Sequence, residues 1–204
     1  MKLFYKPGAC SLASHIILKE IGSDFEIERV NTDKMLTEHG ADFNAINPKG
    51  YVPVLSLGRG ETLTDDTAIL QYLADLKPEN SLVPAFGALA RARLQEHLNF
   101  ISAELHKAFS PLFSSHAAAA EKLQARKQVK KKMAHFEFIF DDGRPYLLGD
   151  RFSVADAYLF VVSNWATPLG VALSQWPNII AFSKRVAARE KVQDAMRAEG
   201  LLIK

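Results

Sequence analysis

The chain has 204 residues, 48% of them hydrophobic and 24% charged, which is the composition of a globular protein with length for one large core or two smaller ones. That balance excludes disordered and fibrous classes, and a formal net charge of +2 is too near neutrality to direct the protein to nucleic acid or acidic membranes. A single cysteine, Cys10, excludes an intramolecular disulfide and a cysteine metal cluster, so the expected cofactor list holds no metal. Pro7 and Gly8 arrive too early for the apolar core of a signal peptide, and no later apolar run nears the ~18 residues of a spanning helix. A cytoplasmic location is expected.

The first part of the chain alternates short apolar runs with helical ones. Leu3 to Tyr5 reads as a strand broken by Pro7-Gly8, and Leu12 to Ile21 reads as a helix closed by Gly22 as its C′ residue. Phe25, Ile27 and the run to Val30 predict a second strand. Val52, Val54, Leu55 and Leu57 predict a third, turning at Gly58-Arg59-Gly60 into Thr62-Leu63-Thr64 as a hairpin. Ile69, Tyr72, Leu73 and Leu76 then form a helical stripe, giving the order β-α-β-α-β-β-α over residues 1–80.

Two prolines and no periodicity between Lys77 and Pro84 mark a change of domain, with residues 81–86 as linker and 87–204 as an all-helical domain. Leu94, Leu98, Ile101, Leu105, Phe109 and Leu112 line one long helix, with Pro111 as its expected bend. Val129, Met133, Phe136 and Phe140 line a second helix expected to pack on the first. Further helices are expected from Ser153, from Pro177 in the first turn, and over Lys191 to Ala198.

Cys10 stands at the start of the first helix, where unpaired N–H groups and the positive end of the dipole favour an anionic sulfur and can bring a thiol from about 8.5 to between ~3.5 and ~7.5. Its other reading is a small buried hydrophobe. In Asn47-Pro48-Lys49-Gly50-Tyr51-Val52-Pro53-Val54, Pro53 cannot donate to a sheet; a cis bond before it would free the Val52 backbone for a peptide-like ligand, or Pro53 simply ends an edge strand. Thr64-Asp65-Asp66-Thr67 opens a helix whose N–H groups suit a carboxylate, or are capped by Thr64 or Asp65. Asn99, Ser102 and His106 fall at i, i+3 and i+7, one polar stripe that either faces a cleft or is solvated.

Five segments together carry a resemblance: Tyr5-Lys6-Pro7-Gly8-Ala9-Cys10-Ser11-Leu12, Asn47 through Leu55, Ala68-Ile69 with Gln71 through Asp75, Leu98-Asn99-Phe100 with Glu104 through Lys107, and Phe152 through Phe160. In order and spacing the chain resembles the beta-class bacterial glutathione transferases along essentially its whole length. The resemblance implies an α+β fold, a thioredoxin-like N-terminal domain followed by an all-α domain. It also implies a homodimer that joins the thiolate of glutathione, as co-substrate, to small hydrophobic electrophiles. Cys10 would lie beside the glutathione sulfur, with Ser11 and the helix dipole assisting. Val52, before a cis Pro53, would pair with the cysteinyl backbone, and Asp65 and Asp66 would hold the γ-glutamyl end. Asn99, Glu104 and His106 would enter from the neighbouring subunit, Glu104 meeting the ligand's ammonium and His106 donating a hydrogen bond or shuttling a proton. Because a cysteine stands where other classes of the superfamily use tyrosine or serine, a mixed disulfide at Cys10 and thiol–disulfide exchange are implied too.

Three departures from the family pattern stand out. Asp65-Asp66 replaces Glu-Gly and adds a negative charge beside the glutamyl carboxylate, which costs binding in a partly dry site. Met35 stands where a lysine is expected near the glycyl carboxylate, with Lys34 adjacent as a substitute. Tyr51 stands where glutamine is common. The alternatives are therefore a non-catalytic ligand carrier or an interaction module on the same fold, the latter using Lys130-Lys131-Lys132, which otherwise form a solvated helix face. Ser153 and Asp156 have the spacing of a capping box, a folding role. Trp165 with Phe109 and Phe113 would border an apolar pocket, whereas Trp176 reads as a core or interface aromatic.

Overall fold

The apolar run near the N-terminus becomes β1 (Lys2–Tyr5), the central strand of a five-stranded sheet in the computed structural model, which describes residues 1–202. Across the sheet the order is β3 (Leu36–Thr37), β2 (Glu26–Asn31), β1, β4 (Val54–Gly58) and β5 (Glu61–Thr64). β1 runs parallel to β2 and antiparallel to β4, so Leu3 lies opposite both Ile27 and Leu55. The hairpin β4–β5 turns through Gly58, Arg59 and Gly60, all at positive φ. β3 has two residues, too few for an alternation to announce it, and a one-turn helix α2 (Phe43–Ile46) follows it. β4 begins at Val54, two residues later than expected, because Pro53 has no N–H for the ladder.

Helices α1 (Ser11–Glu20) and α3 (Asp66–Asp75) pack against each other and bury Ile16, Ile17, Leu18, Ile69, Leu70 and Leu73. A second cluster joins Phe4, Val30, Phe43 and Val54, with Met35, Ile46 and Val52 at its margin.

The chain divides into two compact units, residues 81–188 forming the second. In it α4 (Leu89–Phe100), a π-helical turn (Ile101–His106) and α5 (Lys107–Phe113) follow without a break. Their stripe Leu94, Leu98, Ile101, Leu105, Phe109 and Leu112 is buried, as are Val129, Met133 and Phe136 of α6 (Ala119–Ile139) and Phe140 just beyond it. α7 (Val154–Asn164) is buried over Val154–Ser163, and α8 (Pro177–Ala187) starts on its proline. Trp176, just before α8, is buried in the core.

The last helix, α9 (Glu190–Ala198), belongs to the first unit rather than to the helical domain expected to run to residue 204. It packs on α1, and just past its end Glu199 accepts hydrogen bonds from the Gly8 N–H at 3.0 Å and pairs with His15 Nδ1 at 2.9 Å. Arg189 at its start forms a bidentate pair with Glu20. Among the described residues, no helix is long and apolar enough to cross a membrane.

Candidate active site

The expected site residues fall into two groups, one in each unit. In the first unit the turn Lys6–Cys10 leads directly into α1. Ser11, fully buried, ties that turn: its Oγ accepts from the Lys6 N–H at 3.2 Å and donates to the Lys6 carbonyl at 3.3 Å. Gly8 takes φ +69° there, a conformation L side chains rarely adopt. Cys10 consequently caps α1, and its Sγ donates to the Val52 carbonyl at 3.4 Å. The Val52–Pro53 bond is cis. The segment that carries it is braced by buried Asn47, whose Nδ2 donates to the Tyr51 carbonyl at 2.8 Å.

The thiol is not activated in the way its position alone predicts. Burial raises Cys10 well above the ordinary thiol value, the negative charge of Asp66 adds to that, and the N–H groups of Ser11 and Cys10 pull the other way without prevailing. Desolvation of an anion outweighs the helix dipole here, so Cys10 is a neutral S–H donor at neutral pH. The hydroxyl of Ser11 is engaged by the Lys6 backbone, which leaves its N–H to face the Cys10 sulfur.

Asp65 stands at φ +75° and caps α3, its Oδ1 accepting from the Thr67 N–H at 3.0 Å and Thr67 Oγ1 at 2.6 Å. Asp66, the expected second charge beside a bound carboxylate, instead turns inward and is 5% exposed. Its Oδ1 accepts from Ser14 Oγ at 2.5 Å, and burial pushes the carboxyl up to about 8. Met35, placed among the ligand-binding positions, packs at the edge of the Phe4–Phe43 cluster because its uncharged thioether gains by leaving water. Lys34 is exposed, and its N–H is held by Asn31 Oδ1 at 3.0 Å. Tyr51 is 74% exposed.

In the second unit Asn99 is exposed near the end of α4. Glu104 forms an ion pair with Lys132 of α6, whose ammonium sits 5.6 Å from the centre of the Phe100 ring. The lysine run is therefore not uniformly solvated: Lys130 and Lys131 are exposed, but Lys132 is drawn to this pair. His106 ends the π-helical turn with Nδ1 2.8 Å from Tyr158 Oη. Its ring meets Trp165 edge to face at 4.8 Å, and Trp165 meets Phe109 and Phe113 in the same manner. Phe113 remains 55% exposed, an apolar rim to this aromatic group. The α-helical spacing that aligned Asn99, Ser102 and His106 does not hold across the π turn, whose bonds run i→i+5.

Ser14 and Tyr158 supply polar partners to which no motif assigns a role. Ser14 lies one turn after Cys10 as a buried polar residue in an apolar helix, and Tyr158 places a hydroxyl inside the buried run of α7; both needed partners, which was the available signal. Among the described residues no cluster of His, Cys, Asp and Glu could hold a metal ion.

Residues 8–76 match the family Glutathione S-transferase, N-terminal domain, and residues 100–190 match Glutathione S-transferase, C-terminal domain. Glutathione S-transferase GstA of Escherichia coli O157:H7 is 46% identical over 98% of this chain and 100% of its own. The beta class glutathione S-transferase of Sphingomonas chungbukensis superposes with a TM-score of 0.96 at 44% identity, covering 99% of this chain and 100% of the other. A sphingomonad glutathione S-transferase solved in complex with glutathione does so with a TM-score of 0.95, at the same identity and coverage. With both halves of the chain matched in order and relatives aligned along nearly all of it, this protein belongs to the glutathione S-transferases, in their bacterial beta class.

Proposed function

We propose that this transferase binds glutathione in the first unit and joins its thiolate to small hydrophobic electrophiles, working as a cytoplasmic homodimer. The observation that carries the reading is the Cys10 S–H, held at the start of α1 and bonded to the Val52 carbonyl. A neutral thiol can turn its proton from that carbonyl to a bound sulfur anion, so the site holds one thiolate, that of glutathione, instead of two that repel. Val52 pairs with the cysteinyl backbone, and Asp65 and Asp66 lie at the glutamyl end. Lys34 is the cation for the glycyl carboxylate, Met35 being engaged in packing. Asn99 of the partner subunit, Glu104 of the partner subunit and His106 of the partner subunit complete the site, and the aromatic group around Trp165 receives the electrophile.

In the reaction the glutathione thiol releases its proton, to His106 of the partner subunit or to water. The sulfur lone pair forms a C–S bond, and the leaving group departs with its electron pair. Exchange is the second activity: ionised Cys10 attacks a glutathione disulfide, the S–S bond breaks, a mixed disulfide forms and one glutathione thiolate leaves. With its thiol raised, Cys10 does this slowly at neutral pH and faster as pH rises. A reduced thiol and a need for reduced glutathione suit the cytoplasm. Inward-turned Asp66 removes much of the charge that favoured a non-catalytic carrier.

The test joins glutathione calorimetry with turnover of chlorodinitrobenzene, on protein whose dimeric state is verified by sedimentation. Saturable binding and turnover are expected, with Cys10→Ala lowering kcat roughly tenfold through loss of one donor to the thiolate. Saturable binding of apolar ligands without glutathione binding or turnover would replace this reading with the carrier.

A further inference from the structure

Asp66 is joined to α1 through one of its two carboxyl oxygens only. It is the first residue of a ten-residue helix, it is buried, and while Ser14 Oγ satisfies Oδ1, Oδ2 is shielded and has no hydrogen-bond partner. One satisfied and one bare oxygen make the charged form of a carboxyl expensive. The groups facing it do not relieve that cost. From α1 they are Ser14 and, one turn earlier on the same face, the Cys10 thiol; from its own turn it meets the Asp65 carboxylate, a like charge. On β5 the neighbouring Thr64 hydroxyl takes the Lys49 ammonium at 2.7 Å. The start of a helix carries roughly half a positive charge, so a full negative charge on its first residue reverses the sign that an incoming carboxylate meets.

We propose that Asp66 is a proton-linked switch on glutathione affinity: protonated, it leaves the start of α3 open to the glutamyl carboxylate, and ionised, it repels that carboxylate. The switch rests on the glutathione reading above. Burial places the transition at about 8, so the carboxyl is mostly protonated at neutral pH and mostly ionised a unit above the transition. The same ionisation holds the Cys10 thiol higher, so Cys10 remains a neutral donor as the pH rises and the switch acts on affinity alone. Asp66 acts through the field at the helix start and is a positioning residue, not a catalytic one.

The probe is S-methylglutathione, whose sulfur has no proton to titrate, with calorimetry on the dimer at pH 7 and pH 9. Wild type should bind about tenfold more weakly at the higher pH, as a one-proton linkage centred near 8 requires. Asp66→Asn, whatever its affinity at pH 7, should keep that affinity at pH 9, apart from the ligand's own amine titration, which both proteins share. Ser14→Ala removes the bond that favours the ionised form, so the fall in affinity should move to higher pH. Equal pH dependence in wild type and Asp66→Asn, or no movement in Ser14→Ala, overturns the switch alone. Failure of every protein to bind at either pH overturns the glutathione reading together with the switch.

Discussion

At the scale of single residues, burial decides the chemistry of this site more than position along a helix does. Cys10 stands where a helix start should favour a thiolate, but desolvation keeps it protonated at neutral pH, and the Asp66 charge adds to that once that carboxyl ionises. Alkylation by iodoacetamide should therefore be slower at pH 7 than that of a free cysteine and should keep rising beyond the ordinary thiol range; a rate already level by pH 8 would contradict the assignment. Asp66 carries a second consequence, for stability. Its carboxyl titrates near 8 in the folded chain against 3.8 for the unperturbed group, so between those values the folded state holds a proton that the unfolded state has released. Stability contributed by this group is present below the lower value and is lost as pH climbs toward the higher one. Urea unfolding at pH 5 and pH 8 should show wild type losing a few kcal/mol more than Asp66→Asn across that interval. Glutathione must be left out of both arms, since ligand binding would add its own stabilisation.

At the scale of elements, α7 shows how a buried helix start is satisfied. Asp156 reaches back to the Ser153 N–H at 2.8 Å and accepts the Ser153 hydroxyl at 2.6 Å, so the serine donates to the carboxylate; the second Asp156 oxygen accepts from the Leu147 N–H at 2.8 Å. Removal of this carboxylate leaves two buried N–H groups without their acceptor, and Asp156→Ala should cost roughly 3 kcal/mol in urea unfolding. Burial raises Asp156 to about 6, so its titration adds to the stability lost as pH rises from 4 toward neutrality. The long α4–α5 segment shows a different compromise. Pro111 was the expected site of irregularity, but the change of winding falls over Ile101–His106, ahead of the proline and at the turn that ends in His106. Redistributed bonds of this kind recur at functional sites.

At the scale of the whole molecule, the chain's last described segment returns to its first. Glu199 binds the Gly8 N–H and His15 at once, so residues at opposite ends of the sequence set the turn that positions Cys10. The contact is fully sheltered, with His15 packed between Tyr5 and Phe25. Glu199→Ala should destabilise the protein by roughly 3 kcal/mol, by leaving buried polar groups unpaired, and should weaken glutathione binding through the loosened Gly8 turn. Unchanged unfolding in urea would show that this pairing does not hold α9 in place.

The sequence by itself determined the elements whose signals are local: the breaks at Pro7-Gly8 and Gly58-Arg59-Gly60, the apolar stripes of the long helices, the start of α8 on Pro177, and the place of Cys10 at the mouth of α1. It also carried the family, because five motifs stand in register along the chain. Tertiary structure alone decided what depends on which groups share a buried space. That includes the inward turn of Asp66 onto Ser14, the packing of Met35 where a cation was expected, the engagement of Glu104 by Lys132 and of His106 by Tyr158, and the return of α9 to α1. The physical reason is common to all of them. Periodicity and turn chemistry are written in neighbouring residues, whereas desolvation and pairing are set by residues that come together only when the chain folds.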